Sequence, residues 1–241
     1  MAPIRKGDGT QLEIPGVSEV RTGDGRVFFD DAIPDLGLDH FYFGPSIEDI
    51  SNDWADEDGD RDATPINDPS LSDINDVQSV DYSGGAYHEV SDGWDITEEG
   101  EYLFAVVFNP DEATDAKTPI EFSDRDNVGW ELRFEFDLDQ IRLLHPGVDN
   151  TSGDIPSTDP QVVVGGYDGD NFVVDVNGEN IIDDSGGAPA EPDDETATIG
   201  AGDGGENPTN SLIGAAGSSA ETPTNSRRDE ITDVLMDEFE I

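Results

Sequence analysis

Glu135, Asp137 and Asp139 alternate with Phe136 and Leu138. In an extended strand that spacing sets three carboxyl groups on one sheet face. Two carboxyl groups about 5–5.5 Å apart can cleave a glycosidic bond with retention, one as proton donor and the other as nucleophile. A glycoside hydrolase would draw its pair from acids such as these. The competing reading is a solvated sheet face. It prevails, because acid-outside, apolar-inside alternation recurs throughout the chain, and no catalytic residues are expected.

A second group of acids is Asp56, Asp58, Asp60 and Asp62, spaced by two. Clustered carboxylates suit a hard cation such as Ca2+. The run is not an EF-hand loop, since Arg61 stands where glycine is required and Asn67 where glutamate is required. Trp54 and Trp94 lie in loop-like segments, and Tyr167 precedes the turn Asp168-Gly169. Rings so placed could stack on sugars, or they could cap the ends of a β-sandwich. His40, His88 and His145 show no metal-ligand spacing. No nucleophile-elbow, Walker A or dinucleotide fingerprint is present.

The elements that must position these groups are strands. Asn177-Gly178 separates Phe172-Val173-Val174-Asp175-Val176 from Glu179-Asn180-Ile181-Ile182, and Asp168-Gly169 follows Val162-Val163-Val164-Gly165-Gly166-Tyr167. Both dipeptides favour the positive φ of tight hairpin turns, so residues 161–183 predict a three-strand antiparallel meander. Tyr102 to Asn109 is almost continuously apolar and predicts a central strand buried on both faces. Gly129 to Ile141 alternates as one long strand, with Trp130, Leu132, Phe134, Phe136 and Leu138 inward. Residues 46–75 read as a long acidic loop. Near the end the period changes: Ile231, Val234, Leu235 and Phe239 share one helical face, and Ser226-x-x-Asp229 reads as a cap, predicting a helix over about 227–239.

Charge dominates the composition. The chain has 241 residues and a formal net charge of −47, from 58 acids against 2 Lys and 9 Arg. Such a balance usually accompanies disorder. Here the 34% of apolar residues fall in strand-like runs, which favours a folded body with a carboxylate skin. Molar salt, which shortens the Debye length to about 3 Å, would screen that skin, so brine is the expected setting. Nucleic acid and anionic membrane are excluded as electrostatic partners. There is no cysteine. No apolar run approaches the roughly 20 residues of a bilayer span, and no export signal is read at the N-terminus.

The charge is uneven. In residues 1–29, Arg5, Lys6, Arg21 and Arg26 balance Asp8, Glu13, Glu19 and Asp24, so all of the −47 belongs to residues 30–241. A neutral stretch can lie against another protein at modest desolvation cost. Turn signals at Gly7-Asp8-Gly9 and Gly23-Asp24-Gly25 set off short strands, Gln11 to Ile14, Val17 to Arg21 and Arg26 to Phe29. Residues 1–35 are read as a docking arm and connector carrying Arg5, Lys6, Arg21 and Arg26, and residues 36–241 as one domain.

In order along the chain, Phe41-Tyr42-Phe43, Trp54 with Asp62-Ala63-Thr64, Asp81-Tyr82-Ser83-Gly84-Gly85-Ala86-Tyr87, Tyr102 to Pro110, the meander and the final helix resemble a laminin-G-like, concanavalin A-like lectin domain. Glu135 to Asp139 resembles the acidic strand of glucanases sharing that fold, with Asp139 in place of a glutamate. Val20-Arg21-Thr22-Gly23-Asp24-Gly25-Arg26-Val27 and Ala32-Ile33-Pro34-Asp35 resemble the arm and joint of viral tail and receptor-binding proteins. The resemblance implies an all-β jelly-roll sandwich with an N-terminal β-arm and a short C-terminal helix. It implies a virion structural protein (tail tip, fibre or capsid spike) of a virus of halophilic archaea. Such a protein would dock through its arm onto other virion proteins and present a lectin-like body to a host glycan or S-layer glycoprotein. It would be a homo-oligomer, with a trimer first in line, made in the host cytoplasm and carried on the virion surface. Rim calcium is common in such domains, and Trp54, Trp94 and Tyr167 are the expected carbohydrate platform. The alternative is a halophilic glycoside hydrolase using Glu135 and Asp139.

Overall fold

The structure, a computed structural model, describes residues 19–21, 27–29, 36–59, 61–91, 93–94, 100–110, 116–124, 128–144, 151–154, 159–186, 196–202, 205 and 207–241. Two compact units divide the chain, Met1–Asp35 and Leu36–Ile241. In the first, β1 (Glu19–Arg21) and β2 (Val27–Phe29) form an antiparallel hairpin, with Val20 opposite Phe28 and Arg21 opposite Val27. Arg5, Lys6, Arg26 and the expected strand Gln11 to Ile14 lie outside the described residues.

The strands of the second unit are, in chain order, β3 (His40–Phe43), β4 (Ala63–Ile66), β5 (Ser70–Ile74), β6 (Val77–Asp81), β7 (Tyr87–Ser91), β8 (Tyr102–Asn109), β9 (Ala116–Asp124), β10 (Val128–Glu135), β11 (Gln140–Leu144), β12 (Thr151–Asp154), β13 (Gln161–Tyr167), β14 (Asn171–Val176), β15 (Glu179–Ser185), β16 (Thr196–Ile199) and β17 (Leu212–Ser219); the helix α1 (Asn225–Glu238) follows. They build two antiparallel sheets. One runs β12-β11-β10-β9-β16-β7-β4, the other β15-β14-β13-β8-β17-β6-β5, with β3 also paired to β17. This is the jelly-roll-like β-sandwich with a short C-terminal helix that the resemblance implies.

The core explains the patterns. Tyr102, Phe104, Val106 and Phe108 of β8 enter the layer between the sheets, with Trp130, Leu132 and Phe134 of β10. Leu103, Ala105 and Val107 face the other way, under Ile231 and Leu235 of α1 and Phe239 at its C-cap. A strand covered by a sheet on one side and a helix on the other has no polar face, hence the apolar run. Trp130 stacks on Tyr102 and Phe104 at ring separations of 5.1 and 4.9 Å. Such pairs add roughly 0.5–1.5 kcal/mol each beyond burial. Central strand β17 is built of small residues because α1 lies close: a Cβ on Gly214 would sit 2.2 Å from Phe239 Cε1.

The turns follow their residues. Asn177 and Gly178 adopt φ of 50° and 77°, the left-handed pair that a two-residue hairpin loop requires. Asn75 and Asp76 do the same between β5 and β6, at 49° and 68°. Residues 46–75 are therefore not one long loop: β4 and β5 lie inside it. The strand expected over Gly129 to Ile141 also breaks. β10 ends at Glu135, a 3-10 turn spans Phe136–Leu138, and Asp139 takes φ 53° to reverse the chain into β11. Leu138 is left exposed rather than buried. Finally, α1 starts at Asn225, one residue before Ser226. Thr224 is the cap, extended at φ −61°, ψ 153°, its side chain accepting from Arg227 N.

Candidate recognition face

The sequence-expected carbohydrate platform is not formed. Trp54, Trp94 and Tyr167 are 1%, 1% and 3% exposed, so none offers a ring face to a ligand. Trp54 bridges Ala63 through its backbone and donates its indole N–H to Phe43 O at 3.2 Å. Tyr167 stacks on Phe172 and donates to Gly169 O at 2.7 Å. An acidic, loop-like neighbourhood in sequence conceals rings that close the core.

The acid run is likewise used inward. The buried Asp56 accepts from Phe41 N at 2.9 Å and Gly59 N at 3.0 Å, and its Oδ2 lies 2.7 Å from His40 Nδ1. These contacts hold its carboxyl group below the usual carboxylate range against the opposing effect of burial, which is the largest single influence. Asp58 and Asp62 are exposed, and Asp62 Oδ1 accepts from Asp56 N. Asp60 lies outside the described residues. Asp56 is thus committed to protein donors. Among the described residues no three His, Cys, Asp or Glu side chains are grouped as a metal would need.

The pair Glu135 and Asp139 is not assembled on one strand, because the turn at Phe136–Leu138 separates them. Asp139 is exposed. Glu135 is held by Arg142, whose Nη1 donates to both carboxylate oxygens at 2.9 and 3.0 Å.

What the fold does assemble lies on the outward face of the seven-stranded sheet. Trp130, Leu132 and Phe134 point inward, so the intervening Glu131 and Arg133 point out. Arg142 lies directly opposite Arg133, Glu121 opposite Glu131, and Thr198 opposite Glu121. Arg133 grips Glu131 with both prongs of its fork, Nε at 2.8 Å and Nη2 at 2.7 Å, while Thr118 donates to the same carboxylate. The Nη1 of Arg133 stands 4.0 Å from Glu135. The result is a ladder, Glu131–Arg133–Glu135–Arg142, in which the arginine side chains stay 25% exposed. Two like-charged arginines sit side by side only because a glutamate flanks each. The two carboxylates are 12% and 11% exposed and already accept from protein donors, so the side chains this ladder presents to solvent are the two arginines. Both glutamates are engaged by guanidinium groups.

Sequence reasoning passed over this ladder. Nothing in the alternation marks Glu131 and Arg133, and Arg142 reaches Glu135 only because the chain reverses at Asp139.

His88, read as structural, is fully buried between the sheets, where Tyr82 Oη lies 2.8 Å from its Nδ1 and Trp54 packs against the ring. Burial pushes its imidazole down to about 3. The folded protein thus keeps His88 neutral while the unfolded chain takes up a proton below about 6.5. Between those values the unfolded state binds more protons, so stability falls as pH falls. From pH 7 to pH 5 the protein is expected to lose about 2 kcal/mol more than His88→Gln, which keeps an acceptor for Tyr82. Urea titrations at fixed high salt read the difference, in which groups common to both proteins cancel.

No protein-family model and no curated protein matches the sequence. Solved structures match at the level of fold. Domain 4 of AbnA, a GH43 extracellular arabinanase from Geobacillus stearothermophilus, in complex with arabinotriose, is 15% identical at a TM-score of 0.62, over 81% of this chain and 98% of that one. The binding domain of botulinum neurotoxin serotype D is 13% identical at 0.62, over 83% and 53%. The Trypanosoma rangeli sialidase is 13% identical at 0.62, over 90% and 35%. At such identities the likeness is one of fold, a lectin-like β-sandwich.

Proposed function

We propose that residues 36–241 form a non-catalytic module that recognises a host-surface glycan or glycoprotein, and that residues 1–35 dock it on the surface of a virion that works in brine. The Glu131–Arg133–Glu135–Arg142 ladder carries this reading. It is a pair of guanidinium donors held in place by two glutamates, on the sheet face opposite the helix-covered side. The related folds supply precedent: the AbnA domain was solved with arabinotriose, and the toxin domain is a receptor-binding domain. The neutral charge of residues 1–29 and their likeness to viral tail arms support the docking role, and the −47 supports the saline setting.

A panel of immobilised glycans and surface-layer glycoprotein, probed in roughly 2 M KCl to screen the carboxylates, tests the reading. Binding should be detectable and should weaken at least about 10-fold in Arg142→Ala, the cost of one charge-assisted hydrogen bond. Binding that ignores Arg133→Ala and Arg142→Ala, with circular dichroism unchanged, would place recognition elsewhere. Hydrolysis of the glycans would instead favour the enzyme.

A further inference from the structure

Among the described residues five strands of the second unit pair on one side only, and four of them are protected; on β3, Phe41 accepts from Glu57 N and donates to the Asp56 carboxylate. β4 carries Pro65, which cannot donate to a neighbour, and Ala63 is already bridged to Trp54. β12 and β15 lie against each other, so that a Cβ on Gly153 would sit 2.4 Å from Ile181 Cγ2. β15 also exposes Glu179, Asp183 and Asp184. β5 has none of these devices. Its sequence Ser70-Leu71-Ser72-Asp73-Ile74 holds a single charge, and among the described residues it pairs only with β6.

The direction of its backbone follows from the turn. A two-residue loop at Asn75-Asp76 makes Ile74 and Val77 a hydrogen-bonded pair, so Ser72 and Ser70 also bond to β6. The N–H and C=O groups of Leu71 and Asp73 therefore point away from β6, along the open edge. Leu71 lies opposite Val80, on the inner face of the sandwich, yet is 39% exposed. A strand laid along β5 would satisfy those groups and cover Leu71.

We infer that β5 is an intermolecular docking edge, and that its occupant is a strand from residues 1–29 of a second copy of this chain. Charge selects the occupant. Two bodies, each with 7 basic and 51 acidic residues in 36–241, repel, whereas residues 1–29 are neutral and can approach a body without adding to its charge. The segment also has strands to offer: β1 and β2 make a hairpin of three residue pairs, too short to be stable alone. A contact between an arm and an edge is heterologous, so it closes as a reciprocal exchange or as a ring. The inference is independent of what the ladder binds.

Light scattering on the full chain in roughly 2 M KCl tests it, that salt being chosen to screen the carboxylates. The mass should be a multiple of 25.9 kDa. Asp73→Pro removes only an outward N–H, and Leu71→Lys places a charge on the edge; each should reduce the mass to one chain while circular dichroism is retained. Val20→Pro in β1 should do the same from the arm side. A full chain that is monomeric at all concentrations overturns the inference, since the arm then docks on its own body or not at all. So does an oligomer that survives both edge variants, even if Val20→Pro dissociates it.

Discussion

Transferred from molar salt to about 10 mM, the protein is expected to unfold at room temperature. The chain exposes 11498 Å2 of surface and carries 58 carboxyl side chains. Spread evenly, that is one group per roughly 200 Å2, or about 14 Å between neighbours, where two charges repel by about 0.3 kcal/mol in water. At 1 M salt the Debye length is about 3 Å and the repulsion vanishes; at 0.01 M it is about 30 Å and every carboxylate senses many others. Summed over dozens of neighbouring pairs the repulsion exceeds the 5–15 kcal/mol by which a domain is typically stable. The unfolded chain relieves much of it by expanding. Neutralising pairs are too few to help, because seven basic residues face 54 acids in residues 30–241. All three tryptophans are buried, so their fluorescence should shift to the red on dilution from about 2 M KCl and return when salt is restored. Unchanged emission down to about 10 mM would show that the carboxylate skin costs the fold little.

The same charge governs how much could be read from the sequence. β8 and the Asn177-Gly178 hairpin were legible because nothing competes with their signals: one is apolar on both sides, the other has the residues its turn demands. The apolar stripe of α1 was equally plain, although its buried face also contains Arg228 and Thr232, which no hydrophobic pattern marks. β4 and β5 were missed because edge strands in this chain are written in serine, proline and acids, which elsewhere mean loop. Asn75-Asp76 was the available clue, since both residues tolerate positive φ. The candidate site suffered most. Surplus acids made every carboxylate look like a solvated one, so Asp56, which organises the loop around Phe41 and Gly59, passed for a cation ligand. The ladder was invisible because it depends on the register of β10 against β11, which the turn at Phe136–Leu138 sets.

Replacing Arg228 by methionine is expected to destabilise the protein by about 3–5 kcal/mol, although the stem remains and only the charged head is lost. Arg228 and Asp175 are each 4% exposed, and Nε stands 2.6 Å from Asp175 Oδ2. The guanidinium is further fixed by Pro223 O and Asn225 Oδ1, and Asp175 Oδ1 accepts from Asn180 Nδ2 at 2.8 Å. The pair ties the first turn of α1 to β14, at the point where β14 shifts register against β15 between Val174 and Asp175. Without Arg228 a carboxylate is left buried with an amide as its remaining side-chain partner, and burying an unpaired charge costs far more than exposing one. Removing both charges, Arg228→Met with Asp175→Leu, should recover most of the loss, because an apolar pair has no desolvation to repay. Urea unfolding in roughly 1 M and 3 M KCl separates this from the surface effect: a pair shielded from solvent is hardly screened, so its cost should be the same in both. If the double variant were no more stable than Arg228→Met, the helix would be held by the shape of the arginine stem rather than by its charge.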